Sequence, residues 1–268
     1  MPMQQLFDRL WSTYIAQNPE AKLIHDCFLA EGEQVVNDHI ALRTYFDTRM
    51  NVDVLARPFL EAGYEQKGYY VFDDKHLTAK HYEHKSIENA PRVFISQLMT
   101  EHFSPSLQAI VKQVAAKVPD RLVFGNDLIF AGNVWGPPSF ETYERLREES
   151  EYAAWVYVYG FVVNHFTVSI NALTKLNTIT LVNQYLKDKG FVLNSSGGEV
   201  KGTPEELLEQ SSTKASMLPV HFVDGTFEIP STYYEFAMRY PDTDGKLYSG
   251  FIAKSADKIF ESTDAYKK

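Results

Sequence analysis

Hydrophobic residues at the start of the chain recur every three or four positions: Leu6, Phe7, Leu10, Trp11, Tyr14 and Ile15, then Leu23, Ile24, Cys27 and Phe28. That spacing predicts two amphipathic helices between Gln4 and Ala30, divided near Asn18-Pro19. From Gln34 the period becomes two. Val36, Ile40, Leu42 and Phe46 fall on one side and Asn37, His39, Ala41, Arg43 and Tyr45 on the other, which predicts a strand with an apolar back and a polar front. A helix over Val52 to Ala62 follows, ended by Gly63. Strands are then expected from Tyr64, around Leu77 to Tyr82, and from Arg92 to Leu98.

Residues 103–154 interrupt this order with helical stretches, Ser106 to Lys117 and Phe140 to Ala154, around the Gly- and Pro-bearing Gly132 to Pro138. They read as a connector. From Trp155 to Asn171 the pattern predicts one strand, apolar at Val158, Val162, Phe166, Val168 and Ile170 and small or polar at His165, Thr167, Ser169 and Asn171. The two halves superimpose as text. Asn37-Asp38-His39-Ile40 lies over Val163-Asn164-His165-Phe166, and His39 precedes Gly63-Tyr64 by 24 positions while His165 precedes Gly190-Phe191 by 25. A duplicated β-α-β-β-β module is the economical reading. The expectation is a single α+β domain over 1–268: a helical N-terminus (1–32), a first module (33–102), the connector (103–154) and a second module (155–268). A Gly- and Ser-rich lid insertion is expected at about 194–216, with a helix starting at Thr203-Pro204-Glu205-Glu206.

Composition narrows the function classes. Hydrophobic residues make up 44% of 268 positions, enough for a sizeable core. A net charge of -9 disfavours nucleic acid, which requires phosphate neutralisation. The single cysteine, Cys27, rules out an intrachain disulfide or a thiolate cluster. No stretch approaches the roughly 18 apolar residues of a membrane span. The polar, helical start reads as a mature cytosolic protein. Nothing in the sequence excludes a homo-oligomer.

His39 and His165 occupy matching places on matching strands, and two imidazoles from separate strands suggest a metal. Glu235 qualifies as third ligand, because Tyr233, Glu235, Ala237 and Arg239 alternate with Tyr234, Phe236, Met238 and Tyr240 on a strand, and a carboxylate on such a front needs a partner. Two His and one carboxylate suit non-haem Fe(II) with open positions, and equally Zn(II). Arg43 lies on the His39 face, about 13 Å along the strand at roughly 3.3 Å per residue, with small Ala41 between. Such a pair would span a short dicarboxylate; the competing reading is a surface ion pair of Arg43 with Asp47 or Glu33. Thr167, Ser169, Asn171 and Arg239 are candidates to support the ligands.

The segments VNDHIALRT (36–44), VNHFT (163–167), YYEFAMR (233–239) and SADKIFEST (255–263) resemble the 2-oxoadipate dioxygenase/decarboxylase, or hydroxyglutarate synthase, family. The resemblance implies a vicinal-oxygen-chelate-like mixed sheet around a metal cavity, with Fe(II) and O2 converting 2-oxoadipate to D-2-hydroxyglutarate and CO2 in lysine catabolism. It places the iron ligands on His39, His165 and Glu235 and the substrate-carboxylate arginine on Arg43, with Ser255 a further substrate contact. Arg239, near Glu235, is a further candidate to support the site or touch substrate. The same site loaded with Zn(II), Mn(II) or Ni(II) would serve an isomerase or hydrolase, and a binding protein without turnover is the third reading.

Other constellations are weaker. His76, His81 and His84 with Glu83 are dense, yet in a strand His81 and Glu83 share a face while His84 points away. His25 and His102 lack partners, and His221 could line the pocket from a neighbouring strand. Ser195-Ser196-Gly197-Gly198 lacks the spacing and lysine of a phosphate loop, and no Gly-x-Ser-x-Gly elbow occurs.

Overall fold

The computed structural model describes residues 1–252; Ser255 and the segment 255–263 lie outside the described residues. Two helices open the chain, α1 (Met3–Gln17) and α2 (Pro19–Ala30). They part where expected, because the Asn18 side chain accepts the Ala21 N–H and Pro19 starts α2 without needing a donor. The first module is β1 (Asn37–Tyr45), α3 (Val52–Glu61), β2 (Tyr64–Phe72), β3 (Leu77–His84) and β4 (Arg92–Leu98). Helices α4 (Pro105–Lys117), α5 (Asp120–Val123), α6 (Phe140–Glu149) and α7 (Glu151–Tyr159) follow. The second module is β5 (Val163–Ser169), α8 (Ile179–Asp188), β6 (Lys201–Thr203), β7 (Leu208–Ser212) and, after a hairpin of β8 (Met217–Phe222) and β9 (Gly225–Pro230), β10 (Glu235–Arg239).

Eight strands form one curled mixed sheet in the order β2-β3-β4-β1-β5-β10-β7-β6. Each half has the same connectivity. β1 runs parallel to β4, which continues antiparallel to β3 and β2; β5 runs parallel to β10, which continues antiparallel to β7 and β6. The antiparallel pair β1·β5 joins the halves at the centre. The fold is therefore the α+β, vicinal-oxygen-chelate-like double module expected from the sequence. Its apolar back is sealed by α1 and α2: Phe166, opposite Ile40, packs on Trp11 and Tyr14 with ring centroids 5.0 and 5.1 Å apart, and Phe236 packs on Phe28 at 5.9 Å.

Two expectations are corrected. Residues 194–216 are not a lid, and no helix starts at Thr203: β6 and β7 are the counterparts of β2 and β3, and the turn between them passes through Leu207 at φ 65°. The inserted piece is instead the β8–β9 hairpin. The strand expected from Trp155 begins only at Val163, because Trp155 to Tyr159 complete α7. Ser150 caps that helix by accepting the Ala153 N–H, and the helix is buried on nearly every side, so no 3.6-residue polarity marks it. Gly160 ends it at φ 67°, and a Cβ there would lie 2.3 Å from the Gly132 carbonyl oxygen, across the Gly132–Phe161 bridge.

Gly160→Ala is accordingly expected to destabilise the protein by roughly 2–4 kcal/mol. Denaturant unfolding of the variant beside the wild type checks this, and an unchanged midpoint would show that the close approach to Gly132 relaxes freely.

Candidate metal centre

Register sets the site. His39 pairs with Thr167 and Ala41 with His165 across β1·β5, while Glu235 pairs with Thr167 across β5·β10. The three candidate ligands thus stand on one face of three adjacent strands. His39 Nε2 lies 3.3 Å from Glu235 Oε1, and His165 Nε2 lies 3.3 Å from Glu235 Oε2. One ligand atom from each residue falls within 4.8 Å of the others, and all three residues are buried.

Both imidazoles are aimed by the residue before them. The β1·β5 register slips at Asp38 and again at Asn164, so each is the extra residue of a β-bulge. A bulge lets neighbouring side chains reach each other instead of pointing to opposite faces. Asp38 Oδ1 lies 2.7 Å from His39 Nδ1, and Asn164 Oδ1 lies 3.1 Å from His165 Nδ1. With Nδ1 engaged, Nε2 is the atom each ring presents to Glu235, the arrangement of metal-binding histidines with outer-shell partners. The signal was in the sequence, an Asx-His pair repeated in both halves, but strand alternation assigned Asp38 and Asn164 to the opposite face.

Electrostatics at the site are those of a cation locus. Burial alone would raise the Glu235 carboxyl, yet His165, His39 and the Gln210 side-chain amide (Nε2 to Oε1, 2.5 Å) hold it below its ordinary value. Its Oε2 has no hydrogen-bond donor among the described residues. Burial, with His39 and Arg43 adding to it, brings His165 down to about 3 despite Glu235, so this imidazole is neutral, the form that binds metal. Burial lowers His39 too, but Glu235 and Asp38 outweigh it and raise it. A carboxylate buried this completely costs several kcal/mol without a positive partner. Two donors held to one ion by bonds of about 2.1 Å sit roughly 3.0–3.4 Å apart, which matches both histidine–glutamate separations, so the residues fit a metal ion.

Arg239 acts behind the ligands. Its Nε and Nη2 donate to Asp38 Oδ2 and Oδ1 at 2.7 and 2.9 Å, and Nη1 donates to the Tyr248 and Gly250 carbonyls at 2.9 and 2.8 Å. Burial would raise Asp38, but Arg239 and His39 hold it well below the usual carboxylate range. Thr167 Oγ1 lies 3.1 Å from His39 Nε2. Asn171 exchanges two hydrogen bonds with the Arg239 backbone, and the Ser169 N–H donates to Val36 O, so both brace strands and not ligands.

Arg43 is buried on the same β1 face, not at the surface. Its guanidinium carbon lies 5.1 Å from the Tyr152 ring centroid and 5.2 Å from that of Trp155, with Tyr233 beside it. Helix α7, whose second half from Trp155 was expected as strand, thus flanks this arginine. Burial lowers its pKa while Tyr233 and Tyr152 oppose the shift. Glu33 instead accepts from the backbone N–H groups of Thr174, Lys175 and Leu176, and Asp47 accepts from the Arg49 N–H. Among the histidines, His81 is buried, bonded to Tyr70 Oη and Glu83, while His84 faces the Ala62 carbonyl. His76 stacks on His102 at 4.8 Å, His25 packs on Trp11, and His221 is exposed on the β8–β9 hairpin, its Nδ1 2.8 Å from Thr226 Oγ1.

The family model for 2-oxoadipate dioxygenase/decarboxylase matches residues 6–129 and 127–246, one match to each half. The chain is 33% identical to the Arabidopsis thaliana chloroplastic 2-oxoadipate dioxygenase/decarboxylase, covering 97% of this chain and 77% of that protein. It is also 33% identical to the chloroplastic/amyloplastic protein of the same name from Oryza sativa subsp. japonica, over 93% and 75%. Among solved structures, hydroxyglutarate synthase from Oryza sativa in complex with 2-oxoadipate aligns with a TM-score of 0.91 and 31% identity, over 97% of this chain and 91% of that one. A Shewanella frigidimarina structure provisionally named a hydrolase aligns at 0.88 with 49% identity, over 94% and 98%. The plant names overturn the cytosolic expectation, since relatives this similar are plastid proteins and a polar, helical start does not fix a compartment. Among the described residues no helix is long and apolar enough to cross a membrane. Matched along both halves and at this identity over nearly its whole length, the chain belongs to the 2-oxoadipate dioxygenase/decarboxylase family.

Proposed function

We propose that this protein is an Fe(II)-dependent dioxygenase that converts a 2-oxo dicarboxylic acid such as 2-oxoadipate, with O2, to D-2-hydroxyglutarate and CO2. The observation that carries the reading is the buried His39–His165–Glu235 cluster with Arg43 on the same strand face. Its support from relatives is the Oryza sativa hydroxyglutarate synthase, solved with 2-oxoadipate. Iron, when bound, supplies the electrons that activate O2 and the positions that chelate the 2-oxo acid head. The six-carbon oxo acid and O2 balance to the five-carbon hydroxy acid and CO2, so no external reductant is needed.

The chain's own residues do the rest. His39, His165 and Glu235 hold the ion on three strands of a rigid sheet, each imidazole fixed by its Asx neighbour. Arg43 takes the distal carboxylate, and Tyr152 and Trp155 limit the ways its planar fork can turn. Ala41, the small residue between His39 and Arg43, would lie beside the substrate's methylene chain along β1. Burial of the cluster keeps bulk water from the oxidising site. Ser255 serves as a second substrate contact in this reading. Arg239 acts through Asp38 on the orientation of His39.

Anaerobically Fe(II)-loaded protein given 2-oxoadipate is expected to consume O2 in equal amounts with the CO2 and hydroxyglutarate released, followed by an oxygen electrode and product assay. Bound iron without oxygen uptake would sink the proposed reaction.

His39→Ala and Glu235→Ala should each lose stoichiometric iron, measured by elemental analysis, together with turnover. Near-normal metal content in either variant removes that residue from the ligand set.

Arg43→Ala should raise KM for 2-oxoadipate by about 10–100-fold, the loss of roughly 1.5–3 kcal/mol of charge-assisted hydrogen bonding. Its iron content should stay normal and its KM for a 2-oxo monocarboxylic acid should hardly change. Equal losses on both acids would place Arg43 elsewhere in the mechanism.

A further inference from the structure

The two modules differ at one telling position. Laying β5 over β1 puts His165 on His39 and Asn164 on Asp38. In the second module Thr167 faces Glu235 across the parallel pair β5·β10, and in the first its counterpart Ala41 faces Phe94 across β1·β4. Phe94 therefore stands where the duplicated fold would repeat the carboxylate ligand. The first-module side of the cluster offers an aromatic ring where the second-module side offers an oxygen.

That ring is covered by another. Phe251, itself buried, sits with its centroid 4.9 Å from Phe94, 4.8 Å from the His39 ring and 5.4 Å from the His81 ring. It lies over the strands β2 to β4 and β1, on the opposite side of the sheet centre from Glu235 on β10. Its backbone is fixed at two points. The Phe251 N–H donates to Tyr70 Oη at 3.1 Å, and the carbonyls of Tyr248 and Gly250 accept from Arg239 Nη1. Arg239 also grips Asp38, so the segment carrying Phe251 is anchored to the residue that aims His39.

We infer that Phe251, seated on Phe94, is the size-selecting wall on the first-module side of the candidate metal centre, where no further carboxylate or imidazole ligand stands among the described residues. It admits a small chelating head on a slender chain and rejects chelators that are branched or aromatic next to the head. Tyr70 and Arg239 are positioning residues for this wall. The inference rests on the metal-centre reading above but not on the reaction assigned to it.

The test uses two chelators with one head and different bulk, acetohydroxamate and benzohydroxamate, titrated into the full-length protein loaded with Co(II) and followed by the cobalt visible spectrum. Wild type should bind the acetyl compound at least about tenfold more tightly than the phenyl compound. Phe251→Ala should strengthen benzohydroxamate binding by about tenfold or more and leave acetohydroxamate within about twofold. Tyr70→Phe, which keeps the ring and loses the acceptor for the Phe251 N–H, should move the ratio in the same direction by a smaller factor. If the alanine variant fails to hold cobalt, Phe251→Leu takes its place with a smaller gain expected. A wild type that binds both chelators alike, a cobalt spectrum that neither perturbs, or a ratio unchanged in a folded, cobalt-loaded variant would overturn the inference. Oxygen uptake with Fe(II) and 2-oxoadipate is read separately: its absence with a shifted hydroxamate ratio rejects the reaction and keeps the wall, and the converse result keeps the reaction and rejects the wall.

Discussion

A carboxylate buried to zero exposure between two imidazoles is the constraint around which the rest is arranged. Glu235 is fully buried on a sheet whose other face is closed by aromatic packing. Its partners must therefore come from the protein or from an ion. Gln210 satisfies one oxygen, and the other faces His165 without a donor among the described residues. Desolvation that would otherwise count against folding becomes tolerable when a cation completes the cluster, which ties metal affinity to the stability of the central strands β1, β5 and β10.

The central pair β1·β5 supplies the second condition, which is orientation. Two histidines on adjacent antiparallel strands face each other by register alone, but register does not choose which nitrogen points inward. The bulges at Asp38 and Asn164 do so, by bringing an oxygen to each Nδ1. One bulge is neutral and one is charged. Asp38 needs a counter-charge, and Arg239 from β10 provides it in a bidentate contact. Thus the strand that carries the third candidate ligand also neutralises the support of the first, and the three strands cannot shift relative to one another without breaking both.

Much of this was legible in the sequence because period-two alternation is a local property. It placed His39, Arg43 and Glu235 on strand fronts, and the matched Asn-Asp-His and Val-Asn-His segments exposed the duplication. What alternation misses is any segment buried on all sides. Helix α7 is uniformly apolar, so Trp155 to Tyr159 joined the following strand in the text, and only the backbone demand at Gly160 separates them. Residues 194–216 failed for the opposite reason. Short strands rich in Ser, Gly and Gln carry little hydrophobic signal, because Gln210, Ser211 and Ser212 owe their burial to polar neighbours in the sheet. Bulges are equally silent, since one added residue leaves both flanking patterns intact.

Duplication followed by divergence explains why the two sides of the candidate site differ. Two identical modules would bring two histidines and two identical residues at the paired positions now held by Glu235 and Phe94. Two carboxylates there would add a negative charge and occupy a coordination position; two phenylalanines would leave too few ligands. The observed pair, one oxygen donor and one ring, leaves His39, His165 and Glu235 as three side chains that could hold a metal and sets an aromatic ring on the other side. Arg43 breaks the symmetry again, since its counterpart is Ser169, a short side chain whose backbone N–H donates to Val36 O, where Arg43 carries a guanidinium flanked by Tyr152 and Trp155. A symmetric cavity would accept a ligand in either of two senses. In the proposed reading these two asymmetries, one at the candidate metal site and one four residues along β1, would leave a single orientation in which a chelating head and a distant carboxylate are both satisfied.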